Sequence, residues 1–161
     1  MDMNGEVLTP RIDQESLNNK IAELGSLLHD EWRAPRKQAD GTFEPREKAT
    51  KDNEWIASHG TEKVDIANTD YNGLPEDWKG ENKASAEVAM NSIYKADMRG
   101  DMYDTDSFIE DVSDKIHQAW LDRNGSLAPP EQNKPYAELS EEEKEKDRVI
   151  VRKAVEIYQG Q

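Results

Sequence analysis

Apolar residues recur at helical spacing in four stretches of this chain. Leu17, Ile21, Leu24, Leu27, Leu28 and Trp32 form one stripe on the face of a helix, with Asp13 or Ser16 placed to cap it. A second helix is predicted after Leu74-Pro75, carrying Trp78, Val88, Ala89, Ile93 and Ala96, with Gly80 weakening its first turns and Gly100 as the stop. A third begins near Thr105, aligns Phe108, Ile109, Val112, Ile116, Ala119 and Trp120, and closes at Asn124-Gly125. The fourth opens on the capping box Ser140-x-x-Glu143 and carries Val151, Ala154, Val155 and Tyr158. Its Glu141 to Lys146 run reads as solvated surface. Between the first two helices the pattern is irregular. There Asp40-Gly41 suits a tight hairpin turn flanked by Thr42 and Phe43, and "KDNEWIASHG" suggests a short helix around Trp55. The expected fold is mainly α with a small β-hairpin.

Composition narrows the function more than the fold. At 161 residues the chain is read as a single domain, 1–161, since one domain commonly takes ~150 residues. A hydrophobic fraction of 34% against 35% charged residues predicts a modest core and a large solvated surface. The net charge of −14 argues against nucleic acid and against an anionic membrane, because both would be repelled. No cysteine is present, so neither a disulfide nor a thiolate metal site is expected. The start "MDMNGEVL" has neither the basic nor the apolar region of a signal peptide, and runs such as Val149-Ile150-Val151 are too short to span a bilayer. A cytoplasmic protein is the expectation.

A repeat changes the picture. His29 stands three residues before Trp32 in "LLHDEW", and His117 three before Trp120 in "IHQAW". Downstream, Tyr71, Leu74, Glu76 and Lys79 match Tyr136, Leu139, Glu141 and Lys144 in order. The offset is 88 for the tryptophans and 65 for the tyrosines, so the first copy holds 23 more residues, all between Trp32 and Tyr71. This pattern is that of an internal duplication, with copies at about 17–100 and 105–160.

"IHQAW" followed by "PYAELSEEEKEKDR" resembles the RyR repeat, the module named for ryanodine receptors and also found in bacterial and phage proteins. The similarity is best over Val112 to Tyr158; "LLHDEW" also resembles the repeat's start, and "TFEPRE" its hairpin segment. The second copy lacks that hairpin, and the first carries the insertion before Tyr71. The resemblance implies two helix-hairpin-helix units related by a pseudo-twofold, without catalytic residues. It also implies a cleft between the halves in which Trp32 and Trp120 sandwich an adenine-like base. The residues themselves leave a second reading open, in which both tryptophans end apolar stripes as core. His29 and His117 are cleft walls or satisfied structural residues.

Charge distribution adds an anion end to the candidate site. From Trp32 to Lys51 six basic residues stand against three acidic ones, a local +3. Arg33, Arg36 and Arg46 suit phosphate contacts, unless they only pair with the acidic remainder. Phe43, Tyr71 and Tyr136 complete the expected ligand-binding set. The segment "DMYDTD" lacks the glycine and terminal glutamate of a calcium loop and reads as helix capping. No phosphate-binding glycine loop or helical histidine pair occurs, and no cofactor is expected. The expected function is non-enzymatic capture of an adenine-nucleotide-like signalling molecule, as a sensor or as a sequestering protein such as a phage deploys against host defence. An acidic protein-interaction module and a hydrolase of the same ligand are the alternatives, and self-association into a homo-oligomer stays open.

Overall fold

Short side chains set the helix starts. Asp13 accepts a 2.8 Å bond from the Ser16 amide and opens α1, Gln14–Arg33, so it rather than Ser16 is the cap. The computed structural model describes residues 13–160; the amino-terminal stretch read for a signal peptide lies outside them. Asp52 serves two helices at once. Its Oδ1 accepts from the Trp55 amide to open α2, Asn53–His59, while its Oδ2 accepts from the Glu76 amide at the start of α3, Glu76–Arg99. These amide bonds, that from Glu76 first, hold the Asp52 carboxyl below the usual carboxylate range. Gly100, at φ 77°, ends α3 in the left-handed conformation that a glycine takes without strain. Thr105 caps α4, Asp106–Asn124, and Ser140 caps α5, Glu141–Gln159. The Glu143 carboxylate does not close the box; it takes bonds from Gln132 and Lys146 instead.

The Asp40-Gly41 turn forms as expected, with Gly41 at φ 91° and the Gln38 amide donating to the Thr42 carbonyl at 2.7 Å. It carries only one bridge, between Lys37 and Phe43. The antiparallel sheet lies further on and pairs β1, Glu47–Ala49, with β2, Lys63–Asp65. The register sets Lys48 opposite Val64, and α2 intervenes between the strands, so this is not a tight-turn hairpin.

The chain forms two compact units. Unit 1 comprises, among the described residues, 13–24 and 85–160; unit 2 is 25–84. These bounds differ from the two sequence copies, because α1 and α3 each contribute residues to both units. Unit 1 is helical: α4 packs on α5, Tyr158 donates to Asp97 of α3, and Lys20 donates to the Ile157 carbonyl at 3.1 Å. Leu17, Leu24, Met90, Ile93, Val112, Val151 and Tyr158 are its fully buried large side chains. Unit 2 has a smaller core of Val64, Ile66, Tyr71 and Leu74, with Trp55 and Trp78 packed against it. Among the described residues no helix is long and apolar enough to cross a membrane.

Gly25 is a packing requirement of unit 2. A Cβ there would stand 2.7 Å from Cζ and the hydroxyl of Tyr71, whereas one on Gly80 would meet nothing within 4 Å. Alanine at a mid-helix glycine gains ~1 kcal/mol of propensity, and overpacking costs ~1–3 kcal/mol. Gly80→Ala is therefore expected to raise the melting temperature and Gly25→Ala to lower it. Equal gains in thermal melts would show that the Tyr71 ring moves aside freely.

Candidate functional site

Both His-x-x-Trp motifs build the same local arrangement. His29 is buried on α1, and its Nε2 lies 2.8 Å from the Thr69 carbonyl. His117 is buried on α4, and its Nε2 lies 2.7 Å from the Lys134 carbonyl. A carbonyl can only accept, so Nε2 carries the proton in each ring. Each acceptor sits two residues before the tyrosine of the following 3-10 turn, Tyr71–Gly73 or Tyr136–Glu138. The imidazole and the indole three residues on lie nearly parallel, at 17° and 5.8 Å in unit 2 and at 17° and 6.0 Å in unit 1. Lys79 stands 5.6 Å over the Tyr71 ring and Lys144 the same distance over Tyr136. The glutamates pair the lysines equivalently, Glu76 with Lys79 and Glu141 with Lys144.

Each motif walls a pocket within its own unit. The unit 2 pocket measures about 390 Å³ and is lined by His29, Trp32, Ile66, Leu74, Trp78, Arg46 and Lys48, with Asp77, Glu81 and Asn82 on its α3 side. That volume lies in the ~300–1,000 Å³ range of small-molecule sites. Trp32 is 37% exposed, unlike a core tryptophan. Trp78 is half-buried and fixed, because its indole N–H donates to the Ala49 carbonyl at 2.9 Å. Asp77 is engaged inside the unit, accepting from the Thr50 hydroxyl and the Lys51 amide. The unit 1 pocket is smaller, about 160 Å³, and is lined by His117, Trp120, Ile116, Leu139, Ser85, Gln132, Glu143, Lys146 and Asp147.

The residues expected from sequence divide between these roles. His29, Trp32 and Arg46 line the unit 2 pocket; His117 and Trp120 line the unit 1 pocket. Arg33 is held by Asp30 and Asp70, each at 3.0 Å, donates to the Ala67 carbonyl and covers Phe43 at 4.7 Å. It braces the unit and lines neither pocket. Phe43 is clasped through its backbone by the Asn68 side chain. Arg36 lies 4.5 Å over the Trp32 ring and 3.9 Å from Glu44. Tyr71 and Tyr136 are core, the latter donating to Glu110 at 3.0 Å. The sequence reading missed Trp78 and Lys48, and in the other unit Glu143 and Asp147. The signal for three of them was the 65-residue offset, which pairs Trp78 with Glu143 and Asn82 with Asp147. No family model, curated protein or solved structure matches the chain.

Asp65 shapes the basic rim of the unit 2 pocket. It accepts from the amides of Arg46, Ala67 and Asn68 and from the Asn68 side chain. Burial pushes its pKa up, but the four bonds together outweigh burial and hold the carboxyl below the usual range. A depressed carboxylate contributes stability that is fully present above pH ~4 and is lost as pH falls through the lowered folded value. Asp65→Asn is expected to cost roughly 1 kcal/mol at neutral pH, toward the low end for bonds to a charged acceptor because solvent reaches it. The variant should also have a flatter acid limb in pH-dependent melts; an unchanged acid limb would place the titration elsewhere.

Proposed function

We propose that this chain is a non-enzymatic binder of a planar, anionic, nucleotide-like molecule, acting as a sensor or as a sequestering protein. The observation that carries this reading is the unit 2 pocket, where two indoles and two cations share one cavity of ligand size. Among the described residues Arg46 and Lys48 make no ion pair, and Lys48 stands 5.9 Å over the Trp78 ring. Arg33 is neutralised by carboxylates and Arg36 is laid on Trp32, so Arg46 and Lys48 are the charges left for a phosphate. Apolar walls and a few polar groups are the usual makeup of a binding pocket. The repeated His-x-x-Trp and Tyr-x-x-Leu elements support the likeness to the RyR repeat, with its ligand-binding and non-catalytic character.

Mass spectrometry of small molecules released from the purified protein names the ligand class, and calorimetric titration with adenine nucleotides measures the affinity. Trp32→Ala and Trp78→Ala should each weaken binding by ~1–3 kcal/mol, about five- to 150-fold in Kd, if each ring stacks on the base. Affinity should also fall as ionic strength rises, since exposed charge contacts are screened. Absence of both a released molecule and any nucleotide binding would sink the reading, as would unaltered affinity in both folded variants.

A further inference from the structure

Six positions line both pockets in register. His29, Trp32, Leu74, Trp78, Glu81 and Asn82 in unit 2 correspond to His117, Trp120, Leu139, Glu143, Lys146 and Asp147 in unit 1, by offsets of 88 for the first two and 65 for the rest. The cavity is therefore a built feature of the motif, made twice from the same helix faces. Its chemistry is not repeated. Unit 1 keeps the tryptophan and leucine walls, but sets Glu143 where unit 2 has Trp78 and Asp147 where it has Asn82. It also has no counterpart of the segment that supplies Arg46 and Lys48, which lies in the extra residues of the first copy.

The charges facing the unit 1 cavity are few. From α5 come Glu143, Lys146 and Asp147; from α4 comes His117, whose Nε2–H is held by the Lys134 carbonyl. Lys146 pairs with Glu143 at 3.0 Å, and Gln132 donates to the same carboxylate at 3.2 Å. Asp147 makes no hydrogen bond or ion pair among the described residues. An unpaired carboxylate beside an indole and a leucine is a setting for an organic cation, which an aromatic face and a counter-ion attract together. At about 160 Å³ the cavity is well below the ~300 Å³ at which drug-sized pockets begin, so it suits a head group.

We propose that the unit 1 pocket binds a small organic cation, an alkylammonium or guanidinium head lying on Trp120 with Asp147 as its counter-ion. The site is opposite in ligand polarity to the unit 2 pocket and stands independently of the reading given to that pocket. Burial first, then repulsion from Glu143, pushes the Asp147 carboxyl up to about 7, with Lys146 pulling the other way. A proton thus competes with the cation, and binding should tighten as pH rises through that value. The ionised fraction changes roughly tenfold between pH ~6 and ~8 for such a group.

Calorimetric titration of the full chain with putrescine, agmatine and methylguanidine at these two pH values tests the assignment. Saturable one-site binding is expected, several-fold tighter at the higher pH. Asp147→Asn keeps the shape and removes a buried charge, so the fold should survive; it should abolish most of the affinity and its pH dependence. Trp120→Leu should weaken binding at least several-fold, and Trp32→Ala should leave it unchanged. No saturable binding of any of the three cations at the higher pH would overturn the proposal, and so would wild-type affinity in Asp147→Asn, which would mark the interaction as general attraction to the acidic surface. Because Trp32 and Trp78 report on nucleotide binding separately, failure here and failure of the unit 2 site are distinguishable.

Discussion

A buried imidazole N–H donated to a main-chain carbonyl ties each His-x-x-Trp helix to the turn that follows it. The bond does two jobs because histidine is flat: one edge satisfies a carbonyl that would otherwise be orphaned, and the ring lies beside the indole three residues on. Once the carbonyl is held, the 3-10 turn two residues later presents its tyrosine to the core and its leucine to the pocket. In unit 2 the tyrosine then fills the notch left by Gly25. A phenylalanine in place of either histidine would keep the flat ring but lose the bond to the half-buried carbonyl of Thr69 or Lys134.

The pockets follow from helix geometry. Trp78, Glu81 and Asn82 fall at i, i+3 and i+4 of α3, as do Glu143, Lys146 and Asp147 of α5, so one face of a helix start lines each cavity, with the extended Leu74 or Leu139 just ahead of it. Backbone and caps determine where the face points. Side chains alone determine what it attracts. Such a division lets two copies of one scaffold differ in ligand without differing in frame.

The helices were legible because their stripes and caps agree: Asp13, Thr105, Ser140 and Gly100 stand at the ends the apolar period requires. The sheet was not, since Glu47-Lys48-Ala49 and Lys63-Val64-Asp65 are too short and too charged to show alternation. His29, Trp32, Arg46, His117 and Trp120 were found from the repeat and from local charge. Trp78 read as one apolar position of a helix, although its indole is aimed by a bond to Ala49, distant in sequence. Arg33 carried the right charge for a phosphate, yet Asp70 lies 37 positions away and no local pattern shows their pairing. Asp147 sits at the end of a run that reads as solvated surface, and only tertiary packing removes it from water.

The three-residue ladder between β1 and β2 has a consequence for how this chain tolerates changes of length. Side chains alternate across a strand, and here Val64 enters the core opposite Lys48, which faces the pocket. Deleting one residue within β1 would exchange inside for outside and swing the positive charge away from the cavity. The bond from the Thr50 amide to the Glu62 carbonyl closes the ladder just beyond the strands. Extra residues inserted at the exposed Gly60-Thr61 turn would loop out past that closure and leave the register alone. Length is thus free to drift at the tip of this excursion, while at its base a single residue decides whether Lys48 faces the pocket.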